Sequence, residues 1–234
     1  MAVMAKAPRE GAVKTRLTPP LVPAAAVALS ASFLADVLEK VHEAARTAPI
    51  APFLAYAPKG AEERFAGIVA PATGLVLADG EAVVEASICG IGRSLFQATA
   101  SLLGSGFAGA CLVSADAPSL PVDVLCEAAC ALAEEGDRMV LGPAEDGGYY
   151  LIGLKALHRR VFQDIRWSSE TVALETKARA HEIGLSVALL RSWYDVDDAA
   201  TLGRLLRALD AGTERAEASK ACLAGLGVAR QAAG

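Results

Sequence analysis

The chain has 234 residues, 53% hydrophobic and 21% charged, which supplies enough apolar surface for a sizeable core and excludes disordered and fibrous classes. With a formal net charge of −5, no overall basic character exists for phosphate backbones, so nucleic acid is not an expected partner. The uncharged stretch over residues 17–35 is interrupted by Pro19, Pro20 and Pro23 and is rich in Ala, so no membrane span is expected. Lys6, Arg9, Lys14 and Arg16 fall where the apolar part of a signal peptide would lie, and a cytoplasmic location is expected. The five cysteines form an odd set without a C-x-x-C pair and read as reduced core residues.

Short apolar runs alternate with longer helical patterns, the mark of an α/β protein with a parallel sheet wrapped by helices. The first strand is expected over residues 2–5. Pro23 opens a helix in which Leu29, Phe33, Val37 and Val41 share one face. A strand follows over 53–57, a short helix over 61–68, and a third strand over 75–78. Residues 79–91 show no period, and a helix over 94–103 then leads into a buried strand over 110–114. Pro121 starts the next helix, with Leu125, Ala129 and Leu132 as its inward stripe. Strands over 139–142 and 149–154 follow, and on the second of these Tyr149 and Tyr150 alternate sides, which places at least one in the core. Residues 168–184 read as a helix capped by Ser and stopped by Gly. A last strand over 187–190 is followed by a helix over 199–209. One domain is expected over 1–211, with a peripheral C-terminal helix and tail over 212–234 ending in disorder.

Three segments carry chemistry. AVMAKAPREGAVKTRL gathers Lys6, Arg9, Lys14 and Arg16 around a loop shaped by Pro8 and Gly11. At the exit of a first strand, where α/β sheets bind ligands, such a cluster neutralises a polyphosphate; the bland alternative is a solvated basic turn. Neither Walker nor G-x-G-x-x-G spacing is present. LVSADAPSLP ends a buried strand on Asp116, a hard-metal ligand if Asp195, Asp197 or Asp198 supplies a second acid; otherwise these residues are helix caps. GPAEDGGYYLIGL joins Glu145 and Asp146 to Gly147 and Gly148, an acceptor-binding turn or simply a tight hairpin.

In this order and spacing, KAPREGAVKTRL, SADAPSLP, GPAEDGGYYLIGL, WSSETVALET and YDVDD resemble a bacterial family with the GT-A nucleotide-diphospho-sugar transferase fold. That family is similar to the phospholactate and phosphoenolpyruvate guanylyltransferases of deazaflavin cofactor synthesis, and more distantly to the molybdenum cofactor guanylyltransferases. The resemblance covers residues 1–210 and implies a three-layer αβα sandwich with a mostly parallel mixed sheet. It places Lys6, Gly11, Lys14 and Arg16 in the nucleotide-phosphate loop, and Asp116, Asp195 and Asp197 at a magnesium (or manganese) site. The middle segment CGIGRSLFQA keeps only Gly92 and Arg93 of the family's base-recognition pattern. The implied activity is nucleotidyl transfer from a nucleoside triphosphate to a small phosphorylated acceptor, with Lys14, Asp116 and Asp146 at the reacting centre. Glycosyl transfer from a nucleotide-diphospho-sugar, with Asp146 as base, is the alternative, and a non-catalytic nucleotide-binding module is a third. Convergence of Asp116 with Asp195 or Asp197 on one cleft is the geometric consequence to examine.

Overall fold

Seven strands make one mixed sheet in the computed structural model, which describes residues 1–19 and 21–227. In chain order they are β1 Ala2–Lys6, β2 Phe53–Ala57, β3 Gly74–Leu77, β4 Ala110–Ser114, β5 Arg138–Pro143, β6 Tyr149–Leu154 and β7 Ser186–Leu189. The spatial order is β3-β2-β1-β4-β6-β5-β7, with β6 antiparallel to both neighbours and every other pairing parallel. The helices are α1 Pro23–Ala44, α2 Ile91–Gly104, α3 Val122–Ala133, α4 Val172–Glu182, α5 Ala199–Asp210 and α6 Glu217–Gly225.

The inner strands are apolar on both sides because both faces are covered. On β4, Cys111 and Val113 join a core shared with α1 and α3, while Ala110 and Leu112 join one shared with α2 and α4. These cores are the two interfaces of an αβα sandwich. Tyr149 and Tyr150 divide the same way, Tyr150 fully buried on the α1/α3 side and Tyr149 packed on the other. All five cysteines are free, but Cys89 and Cys130 are exposed rather than in the core.

Pro23 stands at the first position of α1, where its fixed φ suits the helix and no hydrogen bond is lost. The four residues read as its buried face have no exposure, yet they serve two cores. Val37 and Val41 face the sheet, whereas Leu29 and Phe33 pack on α5 and the late loop through Leu202, Leu205 and Val196. At 22 residues α1 is about 33 Å long, enough to serve both. From its middle, the buried Asp36 accepts the Ala218 and Ser219 N–H groups (2.9 and 2.8 Å) at the start of α6. Lys40 donates to the Arg215 carbonyl (2.6 Å). The C-terminal helix is thus fastened by a carboxylate that satisfies its orphan donors.

Several expectations are corrected. Residues 61–68 contain only a 3₁₀ turn, Glu62–Phe65. The buried stripe of α3 is Val124, Leu125, Ala128 and Leu132, with Ala129 only half-buried. α4 starts at Val172 rather than 168, because Ser168 is left-handed (φ 64°) and the chain turns there. β7 lies one residue earlier than read, and α2 begins three residues earlier, on the glycines preceding Arg93. Pro20 and the tail end 228–234, read as disordered, lie outside the described residues. Among the described residues no helix is long and apolar enough to cross a membrane.

Candidate functional site

The strand order changes direction between β1 and β4, since β2 and β3 extend the sheet on one side and every later strand on the other. Crevices open outside the carboxyl ends of strands at such a switch point. Lys6 stands at the exit of β1 and Asp116 two residues past the end of β4. Because β6 is antiparallel to β4, its entry, with Gly147 and Gly148, lies at this same edge. The late segment closes in as well: Val196 N–H donates to the Asp116 carbonyl (2.8 Å), and Glu145 N–H to the Trp193 carbonyl (2.9 Å).

Asp116 and Asp197 therefore meet despite their separation in sequence, bridged by Lys14, and Asp195 lies near enough to feel the charge of all three. Its Nζ lies 2.7 Å from Asp116 Oδ1, 2.9 Å from Asp197 Oδ1 and 2.7 Å from the Val196 carbonyl, with the Phe33 ring centroid 5.2 Å away. Its side chain is only 4% exposed. Burial disfavours the ammonium, but Asp116 and Asp197 outweigh burial and hold the pKa above the usual lysine value. Asp195 experiences the reverse. Its Oδ1 is buried without a hydrogen-bond partner, and burial, reinforced by Asp116, Asp197 and Asp146, pushes its pKa up to about 7 against the opposing effect of Lys14. One ammonium does not neutralise this gathering of acids.

Lys14 was expected to reach a polyphosphate, but its three N–H groups are spent on protein acceptors in this structure. Lys6, Arg9, Gly11 and Arg16 are exposed, and among the described residues none of these three cations forms an ion pair. Arg16 is near enough to Asp198 to help lower that acid's pKa, after the hydrogen bonds from Thr201. Asp198 is a helix cap: its side chain accepts the Thr201 N–H (2.8 Å) and completes a capping box at the start of α5.

The acidic turn departs further from expectation. Asp146 is exposed, and its Oδ1 accepts the Gly148 N–H (2.9 Å), while Oδ2 has no hydrogen bond among the described residues. Glu145 turns away to pair with Arg204 of α5 (2.6 Å), whose guanidinium stacks 3.8 Å from the Tyr194 ring centroid. Gly147 does not offer its backbone to a ligand on its Cβ side: at φ +90° an added Cβ would lie 1.9 Å from the Glu170 carbonyl oxygen. Its glycine is required by packing against Glu170 in the loop before α4, and its carbonyl accepts the N–H of Ala173 in the first turn of α4 (2.9 Å).

Gly92 and Arg93 are likewise occupied. A Cβ on Gly92 would meet the Trp167 ring at 2.5 Å, and Arg93 Nε donates to the Gly80 carbonyl (2.9 Å). Trp167 went unread in WSSETVALET, although a large aromatic amid small polar residues was a usable signal. It is the wedge that joins the loop before α2 to the loop before α4. Asp164 N–H to the Ser87 carbonyl (2.9 Å) and Arg159 to Glu85 (2.7 Å) extend that join into one wall.

Among the described residues no three Asp, Glu, His or Cys side chains form a ready-made metal cage. The donor set nevertheless fits magnesium, which takes one or two carboxylates and fills its remaining positions with water and substrate phosphate. Such an ion would meet Asp195 Oδ1, which is buried without a hydrogen-bond partner among the described residues, and an excess of carboxylate charge. A cavity of about 310 Å³ is lined by residues that include Lys40, Ser119, Trp193 and Arg215 and not by these carboxylates.

The fold is shared over nearly the whole chain with a protein from Desulfovibrio desulfuricans G20, provisionally assigned as a nucleotide-diphospho-sugar transferase. The TM-score is 0.83 at 25% identity, with 99% of this chain and 96% of the other covered. It is shared more distantly with a CMP:2-keto-3-deoxy-manno-octonic acid synthetase solved with CTP, at a TM-score of 0.54 and 12% identity over 91% and 98% of the two chains. These are folds of the nucleotide-diphospho-sugar transferase type. No curated protein matches the sequence. A family model matches residues 40–169, more than half of the 234 residues, and the chain belongs to that bacterial family, described as "Uncharacterized protein conserved in bacteria (DUF2064)".

Proposed function

We propose that this protein is a transferase acting on a nucleotide, and specifically a nucleotidyltransferase. In this reading a phosphate oxygen of a small acceptor attacks the α-phosphorus of a nucleoside triphosphate and pyrophosphate leaves. The observation that carries the reading is the pairing of Asp116 and Asp197 through Lys14 at the β1/β4 switch point, with the charge of Asp195 close by and Lys6, Arg9 and Arg16 exposed. The shared fold binds CTP in the synthetase, and the motif resemblance to guanylyltransferases points to the same chemistry.

Asp116, Asp195 and Asp197 would hold magnesium or manganese, which when bound supplies Lewis-acid stabilisation of phosphate charge. Lys6, Arg9 and Arg16 would offset charge growing on the leaving pyrophosphate. A phosphate nucleophile is already ionised at neutral pH, so no general base is demanded. The histidines agree with this: His42 bonds Thr73, His158 bonds Asp137, and His181 sits on α4. The second reading, glycosyl transfer, draws support from the assignment of the Desulfovibrio protein and from Oδ2 of Asp146, its base for an acceptor hydroxyl.

The test is a turnover panel of nucleoside triphosphates and diphospho-sugars with mixed small acceptors and magnesium. Pyrophosphate release supports nucleotidyl transfer, nucleoside diphosphate release supports glycosyl transfer, and binding without turnover contradicts both.

A further inference from the structure

Lys14 sits where a metal ion would be useful. Its ammonium bridges Asp116 Oδ1 and Asp197 Oδ1 at 2.7 and 2.9 Å, so the acids read as metal ligands already hold a cation. The residue is also held unusually. Its backbone is left-handed (φ 49°, ψ 38°), uncommon for a residue with a side chain, and it starts the 3₁₀ turn Thr15–Leu17. The preceding loop is exposed over residues 9–12, and among the described residues its sole backbone hydrogen bond is Ala12 N–H to the Arg9 carbonyl (3.1 Å). A buried charge is thus carried on a loop with little of its own to lose by moving.

We propose that Lys14 is a displaceable counter-ion: it neutralises Asp116 and Asp197 in the free protein and yields them to a divalent cation that enters with the nucleotide. The released ammonium then turns to the phosphates. The inference rests on the functional reading of this site and adds a coupling to it. A metal ion alone competes with Lys14, and a nucleotide alone finds Lys14 spent. Together each removes the other's obstacle, which is reciprocal positive coupling between two ligands. Nearby Asp195 keeps a buried, partnerless oxygen that Lys14 leaves unsatisfied, so the exchange gains a ligand as well as charge.

The test measures manganese binding by electron paramagnetic resonance for the wild type and Lys14→Met, with and without a nucleoside triphosphate. Amine acylation of wild-type Lys14 is read in parallel by peptide mass spectrometry. Expected without nucleotide is roughly tenfold tighter manganese binding by Lys14→Met than by the wild type, and in the wild type a nucleotide-dependent gain of similar size that the variant loses. Manganese alone should raise Lys14 acylation several-fold, and added nucleotide should lower it again. Unchanged or weaker manganese binding by a folded Lys14→Met overturns the proposal, as does manganese binding that leaves acylation unaltered or an absence of manganese binding. If the variant does not fold, wild-type acylation decides. Nucleotide binding without the exchange removes only this inference, whereas the exchange without nucleotide binding removes the functional reading and leaves the counter-ion.

Discussion

Gly92→Ala separates a packing role from a ligand-contact role at one position. Gly92 is the second residue of α2, and alanine in a helix is intrinsically better than glycine by about 0.5–1 kcal/mol. The new methyl, however, would lie 2.5 Å from Trp167 Cζ2 and 2.8 Å from both Cε2 and Nε1. Forcing a methyl into such a contact costs about 1–3 kcal/mol, so the variant is expected to lose about 1–2 kcal/mol net. With the ring removed by Trp167→Ala, the same substitution should be neutral or stabilising by up to about 1 kcal/mol. Urea unfolding followed by circular dichroism, on the four proteins of the cycle, should give a coupling of about 1–3 kcal/mol between the two positions. A coupling below about 0.5 kcal/mol would refute the wedge and restore Gly92 as a position facing open space.

The turn after β5 offers a contrast between neighbours: Gly147→Ala, with a left-handed φ and a methyl driven into the Glu170 backbone, should cost about 2–4 kcal/mol in thermal or chemical unfolding. Gly148→Ala, whose methyl meets only the Asp146 carboxyl at 3.1 Å, should cost less than about 1 kcal/mol; equal losses would contradict the assignment. Burial raises the pKa of Asp36 above the ordinary value of 3.8, against the hydrogen bonds from Ser219 and Ala218 and the charge of Lys40. The folded state therefore binds this proton more tightly than the unfolded chain, and the contribution of Asp36 to stability is full below about pH 3.8 and declines as pH rises through the folded value. Urea titrations of wild type and Asp36→Asn across pH 4 to 7 should show the variant gaining relative to wild type with rising pH, and a constant difference would sink the argument. Lys6→Ala and Arg16→Ala should each weaken triphosphate binding about tenfold or more while moving the melting temperature by no more than a degree or two, because both are exposed; a large melting shift with unchanged affinity would make them structural.

Period and composition carried the layers of this fold, because strands buried on both faces and a helix with an apolar stripe announce themselves locally. Positions decided by distant partners were not legible. Ser168 cannot be a helix cap because its own backbone is left-handed, and the start of α4 is fixed instead by Gly147, whose carbonyl bonds Ala173 N–H. At the site, residue types foretold that acids and bases would gather. Spacing gave no hint that Lys14 would be buried against Asp197, 183 residues away, rather than left open for phosphate. Glu145 shows the same limit, since its partner Arg204 comes from a helix 59 residues on. Trp167 was visible as a residue but not as a wedge, because the ring packs on Gly92, whose value lies in the side chain it lacks.

The central claim, a nucleotide site organised by carboxylates at the β1/β4 switch point, is tested most directly by calorimetric titration of wild type and Asp116→Asn with each nucleoside triphosphate at fixed magnesium. The account predicts saturable binding of at least one triphosphate by the wild type. It predicts affinity lower by tenfold or more in Asp116→Asn at an unchanged fold. Binding that ignores the Asp116 charge, or no binding of any triphosphate, would contradict it.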